Sequence, residues 1–343
     1  MQDQAATRID HLNSALMLVS CVAAFVIPFE LFLLAYAILG PLHYLTEISW
    51  IHDRGYFVGH EDAAERRRAK LAWLGLVGVT LAVMIYGVVG EQILHRPSSP
   101  LFEIGLFYLV FVAAALLIFR ARPPVAAIAI ALTALGIALL SRSPLYGLIA
   151  FLIITIIHVL VFTFAFVTLG AIRAKRASAW WSLAIYALCV LAFFLFPPDI
   201  ADPASDYVRA SYAPFELLNA KLIGALGLGD GNRLSEVYQS NEGVTVMRLI
   251  AFAYTYHYLN WFTKTSVIGW HRISRPRAVV IALLWIGALA LYWESYTLGF
   301  VVLYSLSVLH VMLELPLNHR SFAAIGRALA GRNPPPGDPS PAT

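Results

Sequence analysis

The 343-residue chain is 60% hydrophobic and only 13% charged, with a formal net charge of +4. A soluble domain carries about 25% charged residues, so a water-soluble globular protein is excluded and an integral membrane protein is expected. The two cysteines, Cys21 and Cys189, both sit in apolar runs; that excludes a disulfide framework and a cysteine metal cluster and reads as two small buried hydrophobes.

A membrane-spanning helix needs about 20 mainly apolar residues, and most of the chain is consumed by such runs. The predicted architecture is an all-α, polytopic membrane helix bundle of about nine transmembrane helices, forming a single domain over 1–332. It begins "MQDQAATRIDHLNSAL", without the basic flank and small-residue cleavage site of a secretory signal, so the first apolar run is expected to be retained. That run, 15–45, contains Pro28 and then Glu30; it is one kinked helix or two short ones, because proline breaks the backbone ladder. Further spans are expected over 69–90, 103–121, 124–141, 143–170, 178–197, 245–266, 277–293 and 297–316, the last two joined around Glu294-Ser295-Tyr296.

Cations mark alternate connections: "ERRRAK" before residue 71, Arg120 and Arg122, "AIRAKRA" over 171–177, "IGWHRISRPRA" over 268–278, and Arg320, Arg327 and Arg332 in the tail. Positive connections face the cytoplasm. The C-terminus is therefore expected inside, in a bacterial inner membrane, with the N-terminus outside if 15–45 is one helix and inside if it is a hairpin. The same placement argues against nucleic acid as a partner and for membrane lipids. The longest polar connection, 198–244, becomes an extracytoplasmic insertion turning at Gly229-Asp230-Gly231-Asn232. Its middle, "YAPFELLNAKLIGALGLG", is amphipathic and suits either the outer membrane interface or an ordered surface loop. The proline-rich 333–343 tail is expected to be disordered.

Of ten histidines, His11, His52, His60, His95, His271 and His319 fall near or beyond span ends. The other four are inside spans: His43 in "GPLHYLTE", His158 in "ITIIHVLVF", His257 in "AYTYHYLNW" and His310 in "SVLHVMLEL". Ionisable residues in the hydrocarbon are costly and face the bundle interior with a partner. Neutral imidazole is the commonest metal ligand, with its second nitrogen oriented by an acceptor. Glu47 follows His43 by four positions and Glu314 follows His310 by four, so each pair shares a helix face, and each carboxylate can orient an imidazole or itself ligate. Four imidazoles leave a divalent iron with open positions for dioxygen and substrate, whereas a closed tetrahedral zinc would be structural. Hydrogen-bonded packing histidines, haem ligation and a proton relay are the alternatives.

The segments "GPLHYLTEISW", "TIIHVLVFTF", "YTYHYLNWF" and "VLHVMLELPLNHRS" together resemble the four histidine segments of the microbial β-carotene central-cleavage dioxygenases (Brp/Blh-like), in order and context. The resemblance implies a polytopic, iron-dependent oxygenase that cuts a lipophilic polyene, with Fe(II) on His43, His158, His257 and His310 and with O2 as co-substrate. The chain departs from the pattern at Tyr44, where the family has a small residue, at Thr163, near the position of a family acid, and at Asn260 and Trp261, where the family has a second histidine. Residues 198–244 have no counterpart. The expected substrate is lipophilic: carotenoid, isoprenoid or fatty-acyl. Tyr44, Tyr256, Tyr258 and Trp261 are the candidate substrate wall, since flat rings suit a conjugated chain, though aromatic residues also pack bundles and populate interfaces. Glu47 and Glu314 are expected to orient ligands and Asn260 to reach a bound ligand or the substrate. The rival readings are a haem- or quinone-linked electron carrier and a non-enzymatic transport or assembly protein.

Overall fold

A computed structural model of the chain describes residues 2–54, 63–92, 100–118, 123–140, 144–199, 204–264 and 273–331. His60, His95, His271, Arg120, Arg122 and the 333–343 tail lie outside the described residues. Among the described residues the chain is helical with no strand, an all-α bundle. Seven helices are long and apolar enough to cross a membrane: Gln4–Val26, Pro28–Asp53, Lys70–Gly87, Gly147–Ala174, Ala177–Leu195, Arg275–Glu294 and Tyr296–Leu329; Ile104–Leu117 and Pro124–Leu139 are shorter apolar helices. The expected 245–266 span is a helix, Asn241–Thr263, but lies outside that set of seven. The final span extends past 316, as one helix continues through Pro316 to Leu329.

The chain divides into two compact units, the first containing Met1–His43, Val159–Phe300 and the last residues from Ala328, the second Tyr44–His158 and Val301–Arg327. The chain passes between units inside helices.

In the first unit the Asn241–Thr263 helix is central. Ser240 caps it, its hydroxyl accepting the Gly243 N–H at 2.9 Å, and nearly every side chain from Gly243 to Tyr258 is buried. A helix enclosed by protein needs no apolar outer face, which is why this one tolerates Arg248, His257 and Asn260. The 15–45 run is two helices. Thr263 donates to Asn13 at 2.7 Å, and Arg248 donates to the Phe25 carbonyl at 3.4 Å and to the Phe196 carbonyl at 3.0 Å. Gln2–Val26 thus runs antiparallel to the central helix. Farther on, Phe32 and Tyr36 pack on Tyr254 and His43 on His257, so Pro28–His43 runs parallel to it. The reversal falls at Ile27, which leaves helical geometry (φ −136°, ψ 58°) just before Pro28 at the first turn of the next helix. Ala177–Leu195 lies beside the first helix through Ser182 and Ser14 (2.9 Å) and through Asp10, which accepts from Ser178 (2.6 Å) and Arg176 (3.2 Å).

The 198–244 connection is ordered helix over Asp206–Tyr212 and Glu216–Ala225. Its apolar residues Tyr212, Phe215, Leu218, Leu222 and Ile223 are buried within the unit. Phe215 meets Phe32 edge-on at 4.8 Å, and Asn219 donates to the Gly243 carbonyl at 3.3 Å. The amphipathic pattern therefore serves an intramolecular face. The expected turn is present: Gly231 has φ +64°, and a Cβ there would strike backbone of the Glu216–Ala225 helix, so only glycine fits.

In the second unit, Pro100–Ile118 packs against each of the helices Ala63–Gln92, Pro123–Leu140 and Pro144–Leu152. Three of them open on proline, whose missing N–H is unneeded in a first turn. Trp73, Phe107, Val110, Val308 and Met312 are buried there.

Two helices carry π turns, Ala35–Leu39 and Ile153–Phe162. The first ends four residues before His43 and the second contains His158.

An unbroken helix would place Asn13 about 45 Å from His43. In a Cys21→Ala, Cys189→Ala background, Asn13→Cys with Thr263→Cys is expected to form a disulfide on oxidation, read as a linked peptide by mass spectrometry; failure to link would contradict the reversal.

Candidate metal-binding histidines

All four candidate histidines are buried, between 1% and 5% exposed, and they form two pairs, one in each unit.

In the first unit His257 projects from the central helix with its Nε2 at 3.1 Å from His43 Nε2; the rings are edge-to-face, centroids 4.7 Å apart. On the far side of the ring, His257 Nδ1 is 2.8 Å from the Thr163 hydroxyl. Thr163 is buried and is the first residue after the Ile153–Phe162 π segment. Tyr258 and Trp261 close over His43 at 5.1 and 5.6 Å.

In the second unit His158 Nε2 is 3.2 Å from His310 Nε2, with centroids 5.0 Å apart. His158 Nδ1 lies 3.1 Å from a Glu314 carboxylate oxygen. Tyr44 stacks on His310 at 5.2 Å. The sequence reading assigned Glu314 to its own helix neighbour, His310. Positions four apart do share a face, and that face also meets the helix bearing His158, so the carboxylate lies against the histidine opposite. An ionised carboxylate at that place would accept from a proton on Nδ1 and leave Nε2 of the neutral ring as a lone pair.

The remaining candidates divide. Tyr44, Tyr258 and Trp261 touch a histidine ring. Tyr256 packs away from them, stacked on Phe252 at 6.0 Å and against Tyr186 at 5.6 Å. Glu47 is buried on the Gly40–Arg54 helix. Asn260 is buried too, and its carbonyl accepts from Thr263 at 2.9 Å. Of the histidines at span ends, His52 is exposed beside Asp53 at 3.4 Å, and His319 bonds its own helix through the Leu315 carbonyl at 2.6 Å.

The donor set fits a metal. Two ring nitrogens 3.1–3.2 Å apart are spaced like adjacent ligands of one ion with bonds of about 2.1 Å. Each pair also has an oxygen at a second nitrogen, the Thr163 hydroxyl or a Glu314 carboxylate oxygen, where metal-bound imidazoles take their support. Within either pair the nitrogens are too close to be opposite axial ligands of a haem iron, which would lie roughly 4 Å apart at the same bond length.

No protein family, curated protein or solved structure matches the chain.

Thr163→Val, nearly the same shape without the hydroxyl, is expected to leave the buried His257 Nδ1 unmet and to cost about 1–3 kcal/mol. Thr163→Ser should recover most of it. Thermal unfolding in detergent measures both, and an unchanged midpoint in the valine variant would remove Thr163 as the histidine's partner.

Proposed function

We propose that the protein is a membrane-embedded, histidine-ligated non-haem iron oxygenase that acts on a lipophilic substrate of the carotenoid, isoprenoid or fatty-acyl class. The observation that carries this reading is the repeated arrangement of two buried imidazoles with Nε2 atoms about 3 Å apart and an oxygen behind one ring. Facing lone pairs in a dry interior repel unless a proton or a cation lies between them. A single hydrogen-bonded pair is ordinary packing; two built alike on four separate helices favour ligation. The resemblance of the four histidine segments to the β-carotene central-cleavage dioxygenases supports iron over zinc, and the seven apolar helices support a site within the bilayer.

His43, His158, His257 and His310 would hold the iron, whose chemistry is the activation of dioxygen beside a double bond or C–H bond. The protein's own residues set the geometry. Thr163 and Glu314 orient His257 and His158. Tyr44, Tyr258 and Trp261 give flat apolar surfaces beside the ligands, suited to a conjugated or isoprenoid chain. Burial of every imidazole excludes water, which protects reactive species from side reactions. Because the first apolar run reverses at Ile27–Pro28, the positive-inside bias places both termini in the cytoplasm, in a bacterial inner membrane.

Elemental analysis of detergent-purified protein is expected to find iron. His257→Ala and His310→Ala should each lose it while the protein still inserts. The iron count per chain, compared between the two variants, shows which histidine pair holds an ion. Iron at background with every histidine intact would end the oxygenase reading; a Soret band would replace it with the haem carrier.

A further inference from the structure

The first unit contains a buried phenol paired with a half-buried carboxylate that the histidine chemistry does not use. Tyr238 donates to Glu216 Oε1 at 2.8 Å, and the Arg209 guanidinium lies 4.4 Å over the Tyr238 ring. Tyr238 is 4% exposed. Burial above all, and then the Glu216 carboxylate, hold the Tyr238 phenol well above the usual phenol range, so it keeps its proton at rest. From this pair a run of rings leads to the histidines. Tyr238 is 6.3 Å from Tyr212, Tyr212 is 5.4 Å from Phe32, and Phe32 is 5.2 Å from Tyr254. Tyr254 is 6.2 Å from Tyr258, which is 5.1 Å from His43. No step between ring centres exceeds 6.3 Å, and the whole ladder lies within one unit.

We propose that Tyr238 and Glu216 form a redox-active pair, connected to His43 through this ladder, that drains oxidising equivalents away from the histidines. Aromatic packing alone explains the rings but not why the last phenol is paired with a carboxylate. Removing one electron from a phenol makes its proton strongly acidic, and a cation radical is costly in a low-dielectric interior. At Tyr238 the proton has somewhere to go. The O–H bond breaks, the electron passes to the oxidant, and the proton moves to Glu216, leaving a neutral phenoxyl radical beside a neutral carboxylic acid. The oxidant is a peroxide-oxidised metal ion at the histidines, reduced by one electron. An external one-electron reductant such as a hydroquinone restores the phenol, and Glu216 returns the proton. Tyr258 and Tyr254 are relay rings; Tyr238 is where the charge comes to rest.

Only the source of the oxidant rests on the metal reading, so two arms separate the two claims. In the first, metal-free protein in detergent is flashed with a water-soluble photogenerated ruthenium(III) oxidant and frozen for electron paramagnetic resonance. A tyrosyl radical is expected in the unmodified chain, with the Tyr238 component lost in Tyr238→Phe and also in Glu216→Gln, which keeps the phenol and removes its base. In the second, iron-loaded protein is treated with hydrogen peroxide. The same radical is expected, and Tyr258→Phe should suppress it here while leaving the flash-generated signal intact. Matching unfolding midpoints establish that the phenylalanine and glutamine variants fold. A flash spectrum unchanged by Tyr238→Phe or by Glu216→Gln overturns the pair, and a peroxide signal unchanged by Tyr258→Phe overturns the ladder. If the protein binds no iron, the metal reading falls and the flash arm alone decides for or against the Tyr238–Glu216 pair.

Discussion

Two imidazole nitrogens that face each other at about 3 Å where no water reaches them cannot both present lone pairs, and this constraint recurs at His43–His257 and at His158–His310. In water the repulsion would be relieved by solvation; in a buried site the relief must be a shared proton or a shared ion. The polar groups behind the rings then matter as much as the rings. A Glu314 carboxylate oxygen lies 3.1 Å from His158 Nδ1, and the Thr163 hydroxyl lies 2.8 Å from His257 Nδ1. In both pairs the Nε2 atoms are the ones that face each other. A buried carboxylate without such a partner would be far more costly than the pair, so the glutamate and the imidazole account for each other.

The fold meets this constraint by enclosing one helix in others. Asn241–Thr263 can carry a histidine, an arginine and an asparagine because neighbouring helices, rather than lipid, surround it. Its arginine is matched by position: Arg248 reaches carbonyls at or near the C-terminal ends of two neighbouring helices, at Phe25 and Phe196, where backbone oxygens are unpaired and the helix dipole is negative. That contact lies beside the reversal at Ile27–Pro28, so one side chain both satisfies orphan acceptors and holds the turn that sends the chain back toward His43. The aromatic residues of the 198–244 connection then cover that end of the helix.

Sequence alone revealed the class of fold, most span positions and the four histidines, because apolar runs of bilayer length and isolated imidazoles within them are strong local signals. It also paired Glu314 with His310, through four-residue spacing, and missed its approach to His158: spacing identifies a shared face and is silent on what that face meets. Thr163 was legible only as a departure from a motif, since a threonine in an apolar helix ordinarily bonds its own backbone, as Thr155, Thr168 and Thr80 do here. The helix reversal was one of two options left open by Pro28, and only contacts between Asn13 and Thr263 on one side and His43 and His257 on the other distinguish them. Tyr256 illustrates the same limit. It adjoins His257 in sequence, yet consecutive residues on a helix point about 100° apart, and its ring belongs to the packing around Tyr186.

The π turns explain how helices that otherwise follow lipid-facing periodicity aim a histidine inward. A π turn inserts one residue into the i→i+4 pattern and rotates everything beyond it relative to everything before. Ala35–Leu39 does this just ahead of His43, and Ile153–Phe162 does it around His158 and immediately ahead of Thr163. Such a turn has poorer backbone geometry than an α turn and needs compensation. At the first one, the Trp285 indole N–H donates to the Ile38 carbonyl at 2.8 Å from a neighbouring span, giving that oxygen a partner where lipid offers none. An apolar helix with no site to serve would gain stability by losing the extra residue. A requirement for imidazole direction predicts such a turn beside both His43 and the His158–Thr163 segment, and the Trp285 indole partners a backbone oxygen within the first of them.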